Sequence, residues 1–202
     1  MTDIARSTNL DVPRETLTKL RAFEGLLRSE ATKQNLISAS TLDDLWDRHI
    51  LDSAQLASIL IPGTTCDIGS GAGLPGIVLA ILVDQPITLI EPRPLRAMFL
   101  KQVALELNLP NVTVSTAKAE RVHGSFDNIT ARAVASLDKF FSLANHLSRK
   151  KTRWILPKGR QVKSELDEAM IRWQGEFTLV PSVTSDDAAI VVAERVRRRG
   201  RP

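Results

Sequence analysis

The spacing of apolar residues divides the chain into a helical first part and an alternating second part. Downstream of Pro13, apolar positions recur at steps of three and four, which predicts an amphipathic helix. A similar face follows a helix-start signal formed by Thr41 and Asp44, and a further helical stretch covers residues 52–60. The residues of the two faces are, in order, Leu17, Leu20, Phe23 and Leu27, then Leu42, Leu45, Trp46, His49 and Ile50. We therefore predict a helical extension over residues 1–62 that packs on a second domain.

From residue 63 onward, short apolar runs alternate with helical patterns. The predicted strands end at Asp67 or cover residues 87–90, 112–115, 126–131, 153–156, 177–180 and 189–193. Helical patterns separate most of them, at residues 77–82, 94–107, 137–147 and 161–173. Such alternation is typical of parallel strands joined by helical crossovers. We predict an α/β domain over residues 63–202, with a seven-stranded, mostly parallel sheet flanked by helices.

A glycine-rich stretch between the first strand and the next helix carries the strongest functional signal. Residues 67–76 read Asp-Ile-Gly-Ser-Gly-Ala-Gly-Leu-Pro-Gly. Glycine permits positive φ and lets a ligand approach the backbone closely. A helix start presents free N–H groups and the positive end of the helix dipole. In doubly wound folds, a turn of this kind holds a nucleotide-like ligand.

Two ligands compete for this turn. The segment 71–76 matches the dinucleotide pattern G-x-G-x-x-G, which would make the protein an NAD(P)-dependent oxidoreductase. Asp67, Gly69, Gly71 and Gly73 also match the acidic-x-G-x-G-x-G turn of S-adenosylmethionine (AdoMet) methyltransferases. There the carboxylate lies beside the cationic methionine end, where a pyrophosphate would be repelled. The pattern favours AdoMet, and a non-catalytic RNA-binding protein with a vestigial turn is the third alternative.

Three further side chains lie at informative positions. Glu91 closes the second strand about twenty positions beyond the glycines, which suits an acceptor for ribose hydroxyls. Arg132 follows the fourth strand, at the edge where open α/β sheets place ligands. The alternatives are a surface carboxylate for Glu91 and a structural ion pair for Arg132. His49 lies on an apolar stripe, a pattern more typical of a core histidine than of a catalyst.

Composition narrows the protein class. The 202 residues suit a soluble globular chain, and the single cysteine, Cys66, excludes an internal disulfide. The N-terminal residues lack an apolar signal segment and no apolar run reaches transmembrane length, so we expect a cytoplasmic protein without membrane contact. We expect no metal site.

The positive charge is concentrated at the C-terminus. The net charge is +4, and the arginines at positions 195, 197, 198, 199 and 201 exceed that total by themselves. Arginine clusters suit contacts with nucleic-acid phosphates. We therefore predict RNA binding by Arg197, Arg198, Arg199 and Arg201. A tail that folds back onto the sheet and stabilises it is the alternative.

Several local motifs occur in a characteristic order. They are Asn35-Leu-Ile, the Arg-His-Ile-Leu-Asp-Ser run at 48–53, the glycine stretch at 67–76, Ala131-Arg-Ala and Leu156-Pro-Lys-Gly. Together they resemble the RsmG family, also called GidB, from about Leu17 to the C-terminus. Members of this family are bacterial enzymes that methylate N7 of one guanine in 16S ribosomal RNA. The resemblance implies a Rossmann-like class I AdoMet-dependent methyltransferase fold.

The resemblance also assigns roles to individual residues. It implies AdoMet contacts by Gly69, Leu74, Ala119, Glu120 and Arg132, with Glu120 beside the adenine. It places Lys158 and the arginine tail on the substrate side, so His49 and Lys158 are candidates for positioning the substrate. The implied partner is 16S rRNA within the small ribosomal subunit or its precursor, and we expect a monomer.

The chemistry of guanine N7 explains why the sequence shows no candidate general base. N7 has an in-plane lone pair and carries no proton, so its methylation needs alignment with the methyl group and no general base. The absence of a His-Asp or cysteine nucleophile pair is consistent with this reaction. N7 lies on the Hoogsteen edge, so the base must be accessible in a loop. The sequence has no tyrosine and no aromatic-rich stacking motif, and does not indicate which side chain holds the base.

Overall fold

Seven strands form one sheet in the computed structural model, which describes residues 4, 12–38 and 41–200. The strands are β1 (Thr65–Ile68), β2 (Ile87–Ile90), β3 (Val112–Ser115), β4 (Asn128–Thr130), β5 (Arg153–Lys158), β6 (Trp173–Pro181) and β7 (Ala189–Arg198). Their order is β3-β2-β1-β4-β5-β7-β6. The first five strands are parallel, whereas β7 runs antiparallel to β5 and β6 antiparallel to β7. The predicted seven-stranded, mostly parallel sheet is confirmed.

The helices follow the predicted alternation. They are α1 (Arg14–Ala31), α2 (residues 46–59), α3 (Gly76–Leu82), α4 (Pro94–Glu106), α5 (Leu137–Ala144) and α6 (Val162–Arg172). Helix α2 is irregular, because a π-helical turn over Trp46–Leu51 leads into an α-helical turn and then a 3-10 turn over Gln55–Ile59. The predicted helix start at Thr41 is therefore about one turn too early.

Two hydrophobic clusters cover the sheet. One contains the buried residues Leu20, Phe23 and Leu27 of α1 together with residues of α2, α3 and α4. The other contains α5 and α6, with Phe140 and Phe141 packed edge-to-face on Trp154 at centroid distances of 5.9 and 5.2 Å. The helical first part thus shares a core with α3 and α4, and the domain division at residue 62 stays a prediction.

The buried face of α4 differs from the prediction. Leu95 belongs to the predicted stripe, yet it is 66% exposed. The buried positions Ala97, Leu100, Val103 and Leu107 form a face displaced from Leu95, and Phe99 lies at its border. The first turn of the helix therefore presents a leucine outward.

The last strand is longer than predicted and includes part of the arginine tail. Strand β7 continues to Arg198, which pairs with Trp173, and Arg197 pairs with Gln174. A bulge interrupts the ladder, and Arg195 adopts a positive φ of 55° beside it. Arg199 donates its backbone N–H to the Arg172 carbonyl at 2.8 Å. The tail is thus ordered on the sheet as far as residue 199, and Arg201 lies outside the described residues.

Candidate functional site

Asp67 binds the end of the glycine turn, where the next helix begins. It lies within β1 rather than at its end, and its Oδ2 accepts the N–H of Gly76 at 3.2 Å while Oδ1 accepts the Thr130 hydroxyl at 3.1 Å. The side chain is buried, and burial raises the pKa of Asp67 to about 6. Strand β1 ends at Ile68, one residue later than predicted, and the Gly76 N–H at the start of α3 is not free, because the Asp67 carboxylate accepts it.

Glu91 holds the turn from the neighbouring strand. Its Oε2 accepts the N–H of Gly71 at 2.9 Å, and its Oε1 accepts the N–H of Arg93 at 2.8 Å. The residue is 3% exposed and lies directly after β2, as the sequence predicts. A carboxylate oxygen has two acceptor positions, so each oxygen can accept one further hydrogen bond. This geometry fits a ribose whose two hydroxyl groups donate to one carboxylate.

The backbone of the turn is largely bonded to itself and to β2. Gly69 and Ser70 donate their N–H groups to the Ile90 carbonyl at 2.8 and 3.2 Å, and Gly73 donates to the Ser70 carbonyl at 2.7 Å. A phosphate-binding turn needs several free N–H groups that converge on the anion. Here the converging groups are engaged, and two buried carboxylates flank them. The turn therefore suits a cation and hydroxyl donors better than a pyrophosphate.

Glycine is required where the turn approaches other groups. Gly69 and Gly71 have φ values of 70° and 50°, which a side chain rarely adopts. A Cβ atom on Gly69 would lie 2.8 Å from a methyl carbon of Val134, in the loop after β4. The side chain of Leu74 is buried in the core, so a ligand in the turn would meet its backbone. The shape and the charges of the turn thus fit AdoMet.

The predicted adenine contacts lie at the same edge of the sheet. Ala119 and Glu120 form a 3-10 turn after β3, which pairs with β2 so that Ser115 lies opposite Ile90. Ala119 is buried, and its carbonyl lies 3.2 Å from His146 Nε2, whereas Glu120 is exposed. Their contact with adenine stays a prediction.

Arg132 is the centre of a side-chain network that joins the two parts of the chain. Its guanidinium lies 3.0 Å from His49 Nδ1, 3.4 Å from Asp52 Oδ2 and 3.3 Å from the Arg48 carbonyl. All three partners come from α2, whereas Arg132 follows β4. Arg132 can therefore form a structural ion pair and also contact a ligand. The ion pair fixes the guanidinium at the sheet edge where a ligand would bind.

His49 positions Arg132 and stays neutral. A guanidinium can only donate, so His49 Nδ1 accepts from Arg132 and the proton resides on Nε2, which donates to Thr41 Oγ1 at 3.0 Å. Burial, followed by the charge of Arg132, lowers the pKa of His49 to about 4. The residue is half-buried rather than part of the core.

Lys158 is also committed to a protein contact. Its ammonium donates to the Ala135 carbonyl and to Glu165 Oε1, both at 2.7 Å. Pro157 does not interrupt β5, since it lies opposite Ile190 in the ladder with β7. Lys158 therefore fixes the loop after β4 against α6, and its predicted role in positioning substrate has to act through that loop.

The sequence assigned no role to four residues that organise the site, namely Asp52, Gln55, Thr184 and Arg96. Asp52 Oδ1 accepts hydrogen bonds from Thr184 and Gln55, both at 2.9 Å, and thereby ties α2 to the loop between β6 and β7. Arg96 donates to the Asn35 carbonyl at 2.8 Å and lies beside Gly71. The partners are far apart in sequence, so only the family motifs around Asn35 and Asp52 pointed to them.

The arginine tail lies at the opposite edge of the sheet from the glycine turn. Because β7 is antiparallel, Glu194 lies opposite Arg153 at the beginning of β5, and the arginines follow beyond it. The five steps along β5 place the two edges about 17 Å apart. There Arg195 and Arg197 line a cleft of about 650 Å³ with Arg149 and Lys150. RNA binding by Arg197, Arg198, Arg199 and Arg201 stays a prediction.

Within residues 4, 12–38 and 41–200, no group of three His, Cys, Asp or Glu side chains could hold a metal ion. No helix of that part of the chain is long and apolar enough to cross a membrane.

The fold is shared with solved methyltransferase structures. An AdoMet-dependent methyltransferase from Aquifex aeolicus matches with a TM-score of 0.60 and 14% identity, over 83% of this chain and 98% of that one. TYW2 from M. jannaschii, solved in complex with AdoMet, matches with a TM-score of 0.57 and 15% identity, over 81% and 78%. At these identities the similarity shows the fold alone, and it confirms the predicted Rossmann-like class I architecture.

The sequence comparisons cover almost the whole chain. The ribosomal RNA small subunit methyltransferase G of Zymomonas mobilis is 42% identical over 93% of this chain and 90% of its own length. The protein of the same name from Rhizorhabdus wittichii is 43% identical over 94% and 90%. The family model described as "GidB: rRNA small subunit methyltransferase G" matches residues 16–190. The chain therefore belongs to the GidB family of small-subunit ribosomal RNA methyltransferases, as the motifs indicated.

Proposed function

We propose that this protein transfers a methyl group from AdoMet to N7 of a guanine in 16S ribosomal RNA. The observation that carries the proposal is the glycine turn held between two buried carboxylates, Asp67 and Glu91, in a chain of the GidB family. AdoMet supplies an electrophilic methyl group on a cationic sulfur. The residues of this chain bind and align it.

Each predicted cofactor residue has a task in this proposal. Glu91 accepts the ribose hydroxyls, and the turn at Ala119 and Glu120 borders the adenine. Asp67 supplies negative charge beneath the sulfonium end while it fixes the helix start. Arg132, held in place by His49 and Asp52, borders the bound AdoMet on the side of β4. Gly69, Gly71 and Leu74 provide the backbone surface between them.

The chemistry requires alignment and no proton transfer before the methyl moves. Guanine N7 attacks with its lone pair, and the base gains the positive charge that the sulfur loses. His49 is neutral and bonded at both ring nitrogens, and Lys158 is paired with Glu165. Neither is placed as a free general base, which agrees with a nucleophile that has no proton to lose.

The substrate side of the protein is the arginine tail. The exposed Arg197 and Arg198, together with Arg199, supply phosphate contacts, with Arg201 as a further candidate. The substrate is 16S rRNA within the small subunit or its precursor, and the enzyme works as a cytoplasmic monomer. Ribosome assembly takes place in that compartment, and a single chain carries every residue named here.

Two measurements test the proposed function against its alternatives. Isothermal titration should detect binding of AdoMet and none of NADH, whereas an oxidoreductase would bind NADH. Methyl groups should then be mapped on 16S RNA from cells with and without this protein. Loss of one N7-methylguanosine in the deleted strain supports methyl transfer. An unchanged map would contradict it and leave a non-catalytic RNA-binding protein.

A further inference from the structure

A second opening lies at the same sheet edge as the glycine turn. It has a volume of about 310 Å³ and lies between α2, the ends of β4 and β5, and the beginning of β7. We call it the edge slot; its lining includes Asp52, Gln55, Arg132, Pro157, Gly159 and Ile190. Arg132, which lines the edge slot, follows β4, and β4 lies beside β1 in the sheet, so the slot lies on the neighbouring strands to the turn that holds AdoMet in the proposed function.

The walls of the edge slot suit a flat apolar ring. Pro157 and Ile190 are direct partners in the ladder between β5 and β7, and Ala133 adds a third apolar surface. The volume equals that of roughly ten water molecules in the liquid, which is enough for one purine. Apolar side chains can replace aromatic ones in holding an unstacked base. The absence of tyrosine from the chain is therefore no obstacle.

The charges in the edge slot favour a base over a phosphate. Arg132 is paired with Asp52 at 3.4 Å, and Lys158 is paired with Glu165 at 2.7 Å. Each cation is thus neutralised by a carboxylate. A phosphate would meet Asp52 as a like charge, whereas a neutral base with hydrogen-bonding edges would not.

One oxygen in the edge slot has acceptor capacity left. Asp52 Oδ1 accepts from Gln55 and Thr184, whereas Oδ2 has only the long contact of 3.4 Å with Arg132. The side chain is 19% exposed, so a ligand can reach it. Guanine presents N1–H and N2–H donors side by side on its Watson–Crick edge, and the N2 amine can donate to the remaining acceptor position of Oδ2. Enzymes that act on extruded bases read this edge.

Building on the methyl transfer proposed above, we infer that the edge slot receives the target guanine and that Asp52 Oδ2 accepts a hydrogen bond from the N2 amine on its Watson–Crick edge. This orientation leaves N7, on the opposite Hoogsteen edge, free of hydrogen bonds. Gln55, which accepts the Val183 N–H and donates to Asp52, keeps the carboxylate in place. Asp52 is thus a specificity-determining residue for the base.

Filling the edge slot tests its role without touching the cofactor turn. Gly159 lines the slot, has no positive φ, and has no heavy atom within 4 Å of an added Cβ. Gly159→Leu should therefore fold, yet reduce kcat/KM for RNA methylation at least ~10-fold. Gly25→Leu is the matched control, since Gly25 is an exposed position of α1 with equally open space.

Three readouts interpret the filled variant. AdoMet affinity and melting temperature of Gly159→Leu should equal those of wild type and of Gly25→Leu. Methylation by Gly159→Leu at the wild-type rate would overturn the assignment of the slot. A loss of AdoMet affinity in step with activity would overturn it as well, because the bulk would then act on the cofactor.

Inosine separates recognition by Asp52 from a structural role. Inosine keeps N7 and N1–H but lacks the N2 amine, so small-subunit RNA with inosine at the methylated position loses one hydrogen bond to Asp52. A bond to a charged acceptor corresponds to a ~10-fold to ~100-fold preference for guanosine in wild type. Asp52→Asn should reduce that preference to about threefold or less.

The ratio of the two substrates decides the outcome. A wild-type enzyme without preference, or an Asp52→Asn variant that keeps the full preference, would overturn the inference. A protein that merely loses stability would lose both activities and keep their ratio. Failure of the proposed function looks different, because wild type would then methylate neither RNA.

Discussion

The carboxyl ends of the parallel strands form one edge of the sheet, and the two neighbouring halves of this edge are built in different ways. Over β1 and β2, buried carboxylates bond to backbone N–H groups of a turn nearby in sequence, as Asp67 does to Gly76 and Glu91 to Gly71. Over β4, β5 and β7, side chains bond to side chains from distant segments, as Arg132 does to His49 and Asp52 to Thr184. The first half is a local motif, whereas the second depends on contacts between segments more than 80 residues apart in sequence.

This difference has a functional consequence. AdoMet is the same small molecule in every reaction, so a fixed backbone cradle suffices to bind it. An RNA base has to enter from a large substrate, and a surface assembled from several segments can contact more of that substrate. We therefore expect substitutions in the first half to act on AdoMet affinity, and substitutions in the second, other than those of the predicted cofactor contact Arg132, to act on RNA.

The largest effect is expected from Glu91→Ala. The substitution removes two charge-assisted hydrogen bonds, to the N–H groups of Gly71 in the turn and of Arg93, and one or two to the ribose, each worth about 1.5–3 kcal/mol. Part of this loss falls on the turn itself, so affinity for AdoMet should fall on the order of 100-fold. The demethylated product shares the ribose and should be affected equally in a parallel titration. Discrimination between the two ligands would point to a different role for Glu91.

A smaller loss is expected from Gly69→Ala. An alanine at a φ of 70° costs about 1–2 kcal/mol, and its methyl group would press against Val134. AdoMet affinity, measured by titration calorimetry, should fall about tenfold. Gly25→Ala, at an open helical position, is the control and should bind normally. Unchanged affinity in a folded Gly69→Ala protein would exclude this turn as the cofactor site.

The local half could be predicted from the sequence, whereas for the other half the sequence indicated single residues, such as Arg132 and Lys158, without their partners. The turn at residues 67–76, Glu91 and the parallel strands follow from glycine spacing and apolar runs. Asp52 and Gln55 bond to Ser182, Val183 and Thr184, more than 120 residues away, and no local pattern reports such a contact. For the same reason, the sequence showed an arginine tail without showing that β7 carries it to the other edge.

The exposed arginines at the opposite edge of the sheet lie outside both halves and should act on RNA binding alone. Arg197→Ser combined with Arg198→Ser removes two exposed cations while the strand pairing persists. If both contact phosphates, the slope of log K against log salt should fall by about 1.5–2, and AdoMet affinity should stay the same. Lys19→Ser combined with Lys101→Ser is a control of equal charge. An unaltered slope in the arginine variant would exclude the phosphate contacts.

The smallest effect concerns His49 and appears only in acid. The pKa of His49 is lowered to about 4 from 6.5, so the unfolded chain binds more protons between these values. Its contribution to stability is complete above pH 6.5 and is lost as the pH falls toward 4. Gln can accept from Arg132 and donate to Thr41 without titrating, so His49→Gln should equal wild type at pH 7.

Thermal unfolding at several pH values tests this sign. The melting temperature of wild type should fall more steeply than that of His49→Gln between pH 7 and pH 4.5. The comparison of two variants is needed, because burial raises the pKa of Asp67 to about 6 and its contribution changes in the opposite direction. Parallel curves for the two proteins would refute a neutral His49 in the native state.

The central claim is tested most directly by methyl transfer with purified components. The protein is incubated with methyl-labelled AdoMet and small-subunit ribosomal RNA from cells that lack it, and the label is mapped to a nucleotide and an atom. We expect label at N7 of one guanine in the RNA. Binding of AdoMet without labelled RNA, or label on another base or another atom, would contradict the proposed function.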